Sequence, residues 1–218
     1  MVNARAVALF LLGASCSCPK GGAPRLAAPF GDTFDRAELG NDWFNTGGPY
    51  RIENGELVFS KAHNHPLWLT RPLPDDVQID FDVTGHSPDG DLKVEVFGDG
   101  KSFEDDDAVK RDLQYTASGY VFIYGGWGNR LSTLVRQREH AWQYERGVPN
   151  RQDARVIPGQ RYHWTITRRG GHLDWSVDGQ PFLSWDDPQP LKGEGHDRFA
   201  FDGWESEVSF DNLKITPW

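Results

Sequence analysis

The segment from residue 119 to residue 142 holds the densest set of side chains able to grip a polar ligand. Trp127-Gly128-Asn129-Arg130 is followed by Arg136-Gln137-Arg138-Glu139-His140-Ala141-Trp142. On a strand, residues two apart share a face, so Arg136, Arg138 and His140 are expected side by side. A guanidinium offers paired donors that match a carboxylate or two adjacent hydroxyls. An indole presents a flat apolar surface to the C–H groups of a sugar. Trp127, Arg130, Arg136, Arg138, His140 and Trp142 are therefore candidate ligand-binding residues. Tyr124, from the run just before them, and Trp204, near the C-terminus, join the set. A competing reading of the same cluster is a salt-bridged, solvated strand face. A third is proton abstraction beside a uronate carboxylate, with His140 or Tyr124 as base and an arginine neutralising the carboxylate. No catalytic residue is assigned.

Other constellations are less specific. Glu205-Ser206-Glu207 puts two carboxylates on one strand face, and Asp80 and Asp82 do the same; both pairs read as solvated faces. His63 and His65 have a spacing that could hold a metal ion, but no third ligand is visible, so no metal site is assigned. Glu104-Asp105-Asp106-Asp107 reads as a solvated acidic loop.

The elements that must position these residues are strands. The chain has 218 residues, with 9 tryptophans, 24 glycines and a formal net charge of −9. In Val77-Gln78-Ile79-Asp80-Phe81-Asp82-Val83-Thr84, apolar and polar residues alternate without a fault, as in a strand with one buried face. Leu92, Val94 and Val96 alternate with Asp91, Lys93 and Glu95, and the same period governs 162–167, 173–178 and 207–211. Asn54-Gly55, Gly170-Gly171 and Asp178-Gly179 are two-residue hairpin signals. Gly119-Tyr120-Val121-Phe122-Ile123-Tyr124 is apolar on both faces, so it lies mid-sheet under cover or lines a cleft. The one candidate helix is short, at 105–113, and reads equally as an acidic loop. Roughly twelve or more short antiparallel strands imply an all-β sandwich of two sheets.

The first 28 residues read as a separate segment. One positive charge precedes the apolar run Ala6–Leu12, and small residues lead to Cys16, the order of a secretory signal. The run is far short of the ~20 residues that span a bilayer. The segment resembles a bacterial lipoprotein signal, which implies lipidation at Cys16, with Ser17–Ala28 as a tether. The expected location is exported, either lipid-anchored or secreted, with membrane contact only through the anchor. Cys16 and Cys18 are the 2 cysteines of the chain, so the domain at 29–218 has no disulfide framework and no thiolate zinc site. The acidic balance disfavours nucleic acid. A monomer is expected.

The domain resembles concanavalin A-like lectin/glucanase domains. The residues that carry the likeness are Phe30-Gly31-Asp32-Thr33-Phe34-Asp35, Trp43 and Asn54-Gly55-Glu56-Leu57 at the start. Pro158-Gly159-Gln160-Arg161-Tyr162 and Val177-Asp178-Gly179 follow, and Phe199–Glu205 and Val208–Ile215 close the chain. The resemblance implies a jelly-roll sandwich of two curved antiparallel sheets that binds polysaccharide or glycan on its concave face. It also implies a test for hydrolysis. Members that cleave β-glucans with retention carry Glu-x-Asp-x-Glu on one strand, which sets two carboxylates ~5–5.5 Å apart. No such motif is present, so a non-catalytic glycan-binding domain is expected. The alternatives are a glycoside hydrolase or polysaccharide lyase, or a structural envelope lipoprotein. No cofactor is expected, although the resemblance brings a structural Ca²⁺ near Asp32 and Asp211 into consideration.

Overall fold

A computed structural model describes residues 24–104, 116–143 and 145–218. The apolar run, Cys16 and the candidate helix at 105–113 lie outside the described residues. Attachment to the sandwich begins before residue 29. Arg25 pairs with Asp75 at 2.7 Å, and Leu26 donates its amide to the Pro72 carbonyl at 2.9 Å.

The period-two segments form two antiparallel sheets packed face to face. The eight-stranded sheet runs β13 (Gln180–Asp186), β12 (His172–Val177), β11 (Arg161–Arg169), β6 (Val77–Gly85), β15 (Glu207–Pro217), β4 (Glu56–Ser60), β3 (Arg51–Glu53), with β1 (Phe30–Asp32) also on β15. The seven-stranded sheet runs β10 (Asn150–Arg151), β9 (Leu131–Arg138), β8 (Thr116–Gly125), β7 (Leu92–Gly98), β14 (Arg198–Asp202), β5 (Leu67–Leu69), β2 (Trp43–Asn45). The expected strand count is thus met and exceeded. The additions are mainly strands of two or three residues, too short to show a period.

All three hairpin signals fall at turns, but Gly170-Gly171, between β11 and β12, has positive φ only at Gly170, 59°. Asn54 and Gly55 take φ 53° and 80° between β3 and β4, and Asp178 and Gly179 take 51° and 74° between β12 and β13. Positive φ at both positions is what a type I′ turn demands.

The sheets differ in how they meet solvent. In β6 every second residue is buried, and Asp80 and Asp82 stand on the wet side, where Thr165, His163 and Arg161 bond them. In β7 all seven residues are buried. The expectation that Lys93 and Glu95 line a solvated face is therefore wrong: each is 0% exposed. The reason lies next door in β8, whose two apolar faces are both covered. Tyr120, Phe122 and Tyr124 enter the sandwich core, while Val121 and Ile123 form a second cluster with Val135 and Ala141 on the opposite side. The outer face of the seven-stranded sheet is thus a second interior.

Candidate functional site

Strand registers place the side chains on that outer face in two cross-strand rows. One row reads Phe44, Trp68, Ala200, Glu95, Val121, Val135; the other reads Asp202, Lys93, Ile123, Thr133. Directly opposed residues have Cβ atoms ~4.5–5.5 Å apart, so Lys93 faces Asp202 across the ladder and lies one step along β7 from Glu95. Asp91, just before β7, precedes Lys93 by the same two-residue step.

Loops close over this centre. Asn64 takes φ 56°, which turns its side chain inward. Its amide donates to Glu104 at 2.6 Å and to Glu139 at 3.4 Å. Its side-chain oxygen accepts from the Lys93 ammonium at 2.6 Å, and Lys93 also pairs with Glu139 at 3.0 Å. The backbone ties the same loops together, with Glu104 N–H donating to Asn64 at 2.8 Å and Asn64 N–H to Gly203 at 3.0 Å. Asp91 accepts from the Trp204 amide at 2.7 Å. Glu95 accepts from the Ser118 amide and hydroxyl and from the Gly119 amide, at 2.6–2.9 Å.

The electrostatics are those of a crowded acidic pocket. Burial opposes the charge on Lys93, but Asp91, Glu139 and Asp202 outweigh it and hold the ammonium above its ordinary value. Burial pushes the Asp91 and Glu104 carboxyls up, and the nearby Glu139 adds to both shifts. Asp202 goes well above the usual carboxylate range, again through burial, and neither Lys93 nor the adjacent Gly203 amide offsets it. Asp202 is 0% exposed, and neither of its oxygens has a hydrogen bond of normal geometry. Ionised carboxyls are costly in such a setting, which is why burial leads the upward shifts of Asp91, Glu104 and Asp202.

Aromatic groups flank the centre. His63 packs on Trp204 at 5.0 Å between ring centroids and meets Glu205 at 2.9 Å. Trp127 lies edge-on to Trp142 at 5.0 Å and to His140 at 5.4 Å. Trp127 takes φ 53° in the tight turn Gly126–Asn129 that joins β8 to β9. Trp68 is buried on the outer face and donates to the Ser102 carbonyl at 3.1 Å.

The residues singled out from sequence separate into groups. Trp127, His140 and Trp142 come together, and Trp204 stands near Asp91. Tyr124 does not join them. Core-facing in β8 and 6% exposed, it donates to the Arg155 carbonyl at 3.0 Å. The arginines do not share a face with His140. Gln137 has φ 63°, and this break in the alternation turns neighbouring side chains apart. Arg136 pairs with Asp187 at 3.4 Å, beside the buried Tyr120 hydroxyl, and Arg138 approaches Glu145 at 3.7 Å. Arg130 is exposed and donates to the Trp127 carbonyl at 2.8 Å.

Asp32 and Asp211 do not fit a calcium site. Arg36 binds both oxygens of Asp32, to which Trp43 also donates, and Arg161 holds Asp211 at 2.7 Å. A guanidinium already sits on each carboxylate. Among the described residues, no group of three or more His, Cys, Asp or Glu side chains is arranged to hold a metal ion.

Asp91, Lys93, Glu95, Asn64, Glu104, Glu139 and Asp202 escaped the sequence reading as site residues. Asp91-x-Lys93-x-Glu95 has the spacing of the carboxylate triplet sought above, with lysine in the middle. The usable signal was the doubly apolar β8. A strand covered on both faces implies that its neighbours' alternate residues are covered too.

No known protein family and no curated protein matches the sequence. Solved structures do match in shape. The carbohydrate binding module CBM66 from Bacillus subtilis superposes with TM-score 0.58 at 12% identity, over 82% of this chain and 98% of that one. A Bacillus subtilis protein of unknown function with a galectin-like fold gives 0.62 at 14% identity, over 89% and 97%. A prokaryotic β-1,3-1,4-glucanase (lichenase) derived from a mouse hindgut metagenome gives 0.59 at 10% identity, over 88% and 100%. The architecture is the concanavalin A-like lectin/glucanase fold.

Proposed function

We propose that this jelly roll is an exported carbohydrate-binding protein that takes glycan over the outer face of its seven-stranded sheet. One observation carries the reading. A hydrogen-bonded polar centre is set into a sheet face between two aromatic groups, Trp204 with His63 and Trp127 with His140 and Trp142. Polar groups fix the orientation of a ligand while aromatic faces supply contact area. Two proteins of similar shape, a carbohydrate-binding module and a glucanase, support a carbohydrate ligand. Export rests on the segment at 1–28, with Cys16 as its lipidation point. Recovery of the intact Met1 chain from the cytosol of the native host would overturn that part.

A glycan array with wild-type protein and Trp204→Ala tests the surface. Loss of a buried tryptophan contact typically costs about 2 kcal/mol of binding, roughly 30-fold in affinity. An Arg136/Arg138 double alanine variant is expected to bind as wild type does, because both side chains are engaged elsewhere. Absence of any glycan binding, or full affinity in Trp204→Ala, sinks the assignment.

A second reading, catalysis, is favoured by the carboxyls of Asp91 and Glu104. Burial pushes both carboxyls up, and both residues sit beside the covering loops. A protonated carboxyl beside a ligand site is what general acid catalysis requires. New reducing ends or unsaturated products from common polysaccharides would establish it, and silence across the panel would remove it.

A further inference from the structure

Resting on the binding reading above, we infer that the glycan this face takes carries free amino groups: a cationic, de-N-acetylated amino sugar rather than a neutral or uronic one. The argument begins with what a ligand would touch. Lys93 is 0% exposed, whereas Asp91, Glu104 and Glu139 keep 7–8% of their surface open. Among the described residues of the charged cluster, the little exposure that remains therefore belongs to acidic residues, the Glu139 side chain keeping 10%. Within the buried cluster itself, the donors that could receive an acidic sugar are already engaged. Asn64 gives its amide to Glu104 and Glu139, and Lys93 gives its ammonium to Asn64 and Glu139. Arg136 and Arg138, on β9 just before Glu139, lie against Asp187 at 3.4 Å and Glu145 at 3.7 Å.

Asp202 supplies an independent observation. It is fully buried, its carboxyl lacks a hydrogen-bond partner, and the ladder sets it opposite Lys93. Lys93 is drawn instead to Glu139. A ligand ammonium at the mouth would take over Glu139 and Glu104 and free Lys93 to turn to Asp202. Lys93 and the ligand ammonium would then share the carboxyls that Lys93 alone faces in the free protein.

The test compares three probes on the wild-type protein by titration calorimetry at fixed ionic strength: glucosamine hexamer, N-acetylglucosamine hexamer and galacturonate hexamer. The glucosamine hexamer is expected to bind at least tenfold tighter than either other probe. Glu104→Gln, checked for folding by circular dichroism, is expected to cut that margin to threefold or less. Asp174→Asn removes one charge from an exposed position of β12 in the other sheet and is expected to leave the margin intact. This control separates the site from the net charge of −9. Equal or tighter binding of the N-acetylated or galacturonate probe overturns the inference while leaving glycan binding standing. An equal loss in Asp174→Asn and Glu104→Gln also overturns it. If none of the three binds, the inference falls, and the glycan array decides separately whether the binding reading falls with it.

Discussion

Lys93→Met is expected to destabilise the fold by about 3–5 kcal/mol at pH 7, the usual cost of removing one partner from a buried ion pair. The lysine sits at 0% exposure against Glu139, with Asp91 and Asp202 adding to its charge stabilisation. Without the ammonium, the carboxyls around it must carry uncompensated charge or hold protons against the bulk pH. The pH dependence has a definite sign. Asp91, Glu104 and Asp202 have folded pKa values above their unfolded ones. The folded state therefore keeps protons that the unfolded chain releases above about pH 4, and stability falls as pH rises from there. Lys93 is also shifted upward, so its contribution is intact well above neutrality and is lost only as pH rises through its folded pKa. In wild type it moderates the acid-driven fall; in Lys93→Met nothing does. The gap between the two proteins should narrow from pH 7 to pH 5, as read by urea unfolding followed through tryptophan fluorescence. A gap below 1 kcal/mol at pH 7, or one that widens at pH 5, contradicts this account. Lys93→Met with Glu139→Leu should recover part of the loss, since an apolar pair removes both charges.

The second large effect lies in the sandwich core. Phe201 on β14 is 0% exposed and touches five other rings, with centroids at 4.3 Å to Phe210, 4.9 Å to Phe199, 5.4 Å to Trp43, 5.8 Å to Phe81 and 6.1 Å to Phe34. Those rings come from both sheets and from the segment after β1, so they cannot all collapse into one vacated space. Phe201→Ala should cost about 3–5 kcal/mol, in the range for a buried phenylalanine whose site relaxes poorly. For a domain of this size that lowers Tm by roughly 10 °C. Phe44, exposed on β2, provides a comparison, since Phe44→Ala should move Tm by a degree or two. Similar losses at the two positions would mean that the core is not centred on Phe201.

Most of the sandwich was legible in the chain because alternation is a local signal. In β6 and β12 each polar residue meets water and each apolar one meets the core, and β11 departs from this at the buried Arg168, so sequence and burial agree nearly throughout. The site was far less legible. Lys93 and Glu95 alternate with apolar residues just as Gln78 and Asp80 do, and nothing local says that one set is roofed over. The roof comes from 61–65, 99–104, 139–143 and 203–205, which are distant in sequence and meet only after folding. The arginine cluster failed as a shared face for a related reason. A single left-handed residue, Gln137, undoes the strand geometry that would have aligned Arg136 with His140.

The covered outer face also bears on how this chain can diverge. Glu104 and Glu139 are at once the proposed ligand contacts and members of a buried polar cluster with Asn64, Asp91, Lys93 and Asp202. Changing one of them alters binding and stability in the same step, and the energetic effects of such contacting residues do not add. Most single replacements there are filtered out by loss of fold before any new specificity is tried. The set is expected to drift by coordinated exchange, for instance loss of a carboxyl together with its lysine. Rim residues such as Trp204 and Glu205 remain open to substitution one at a time.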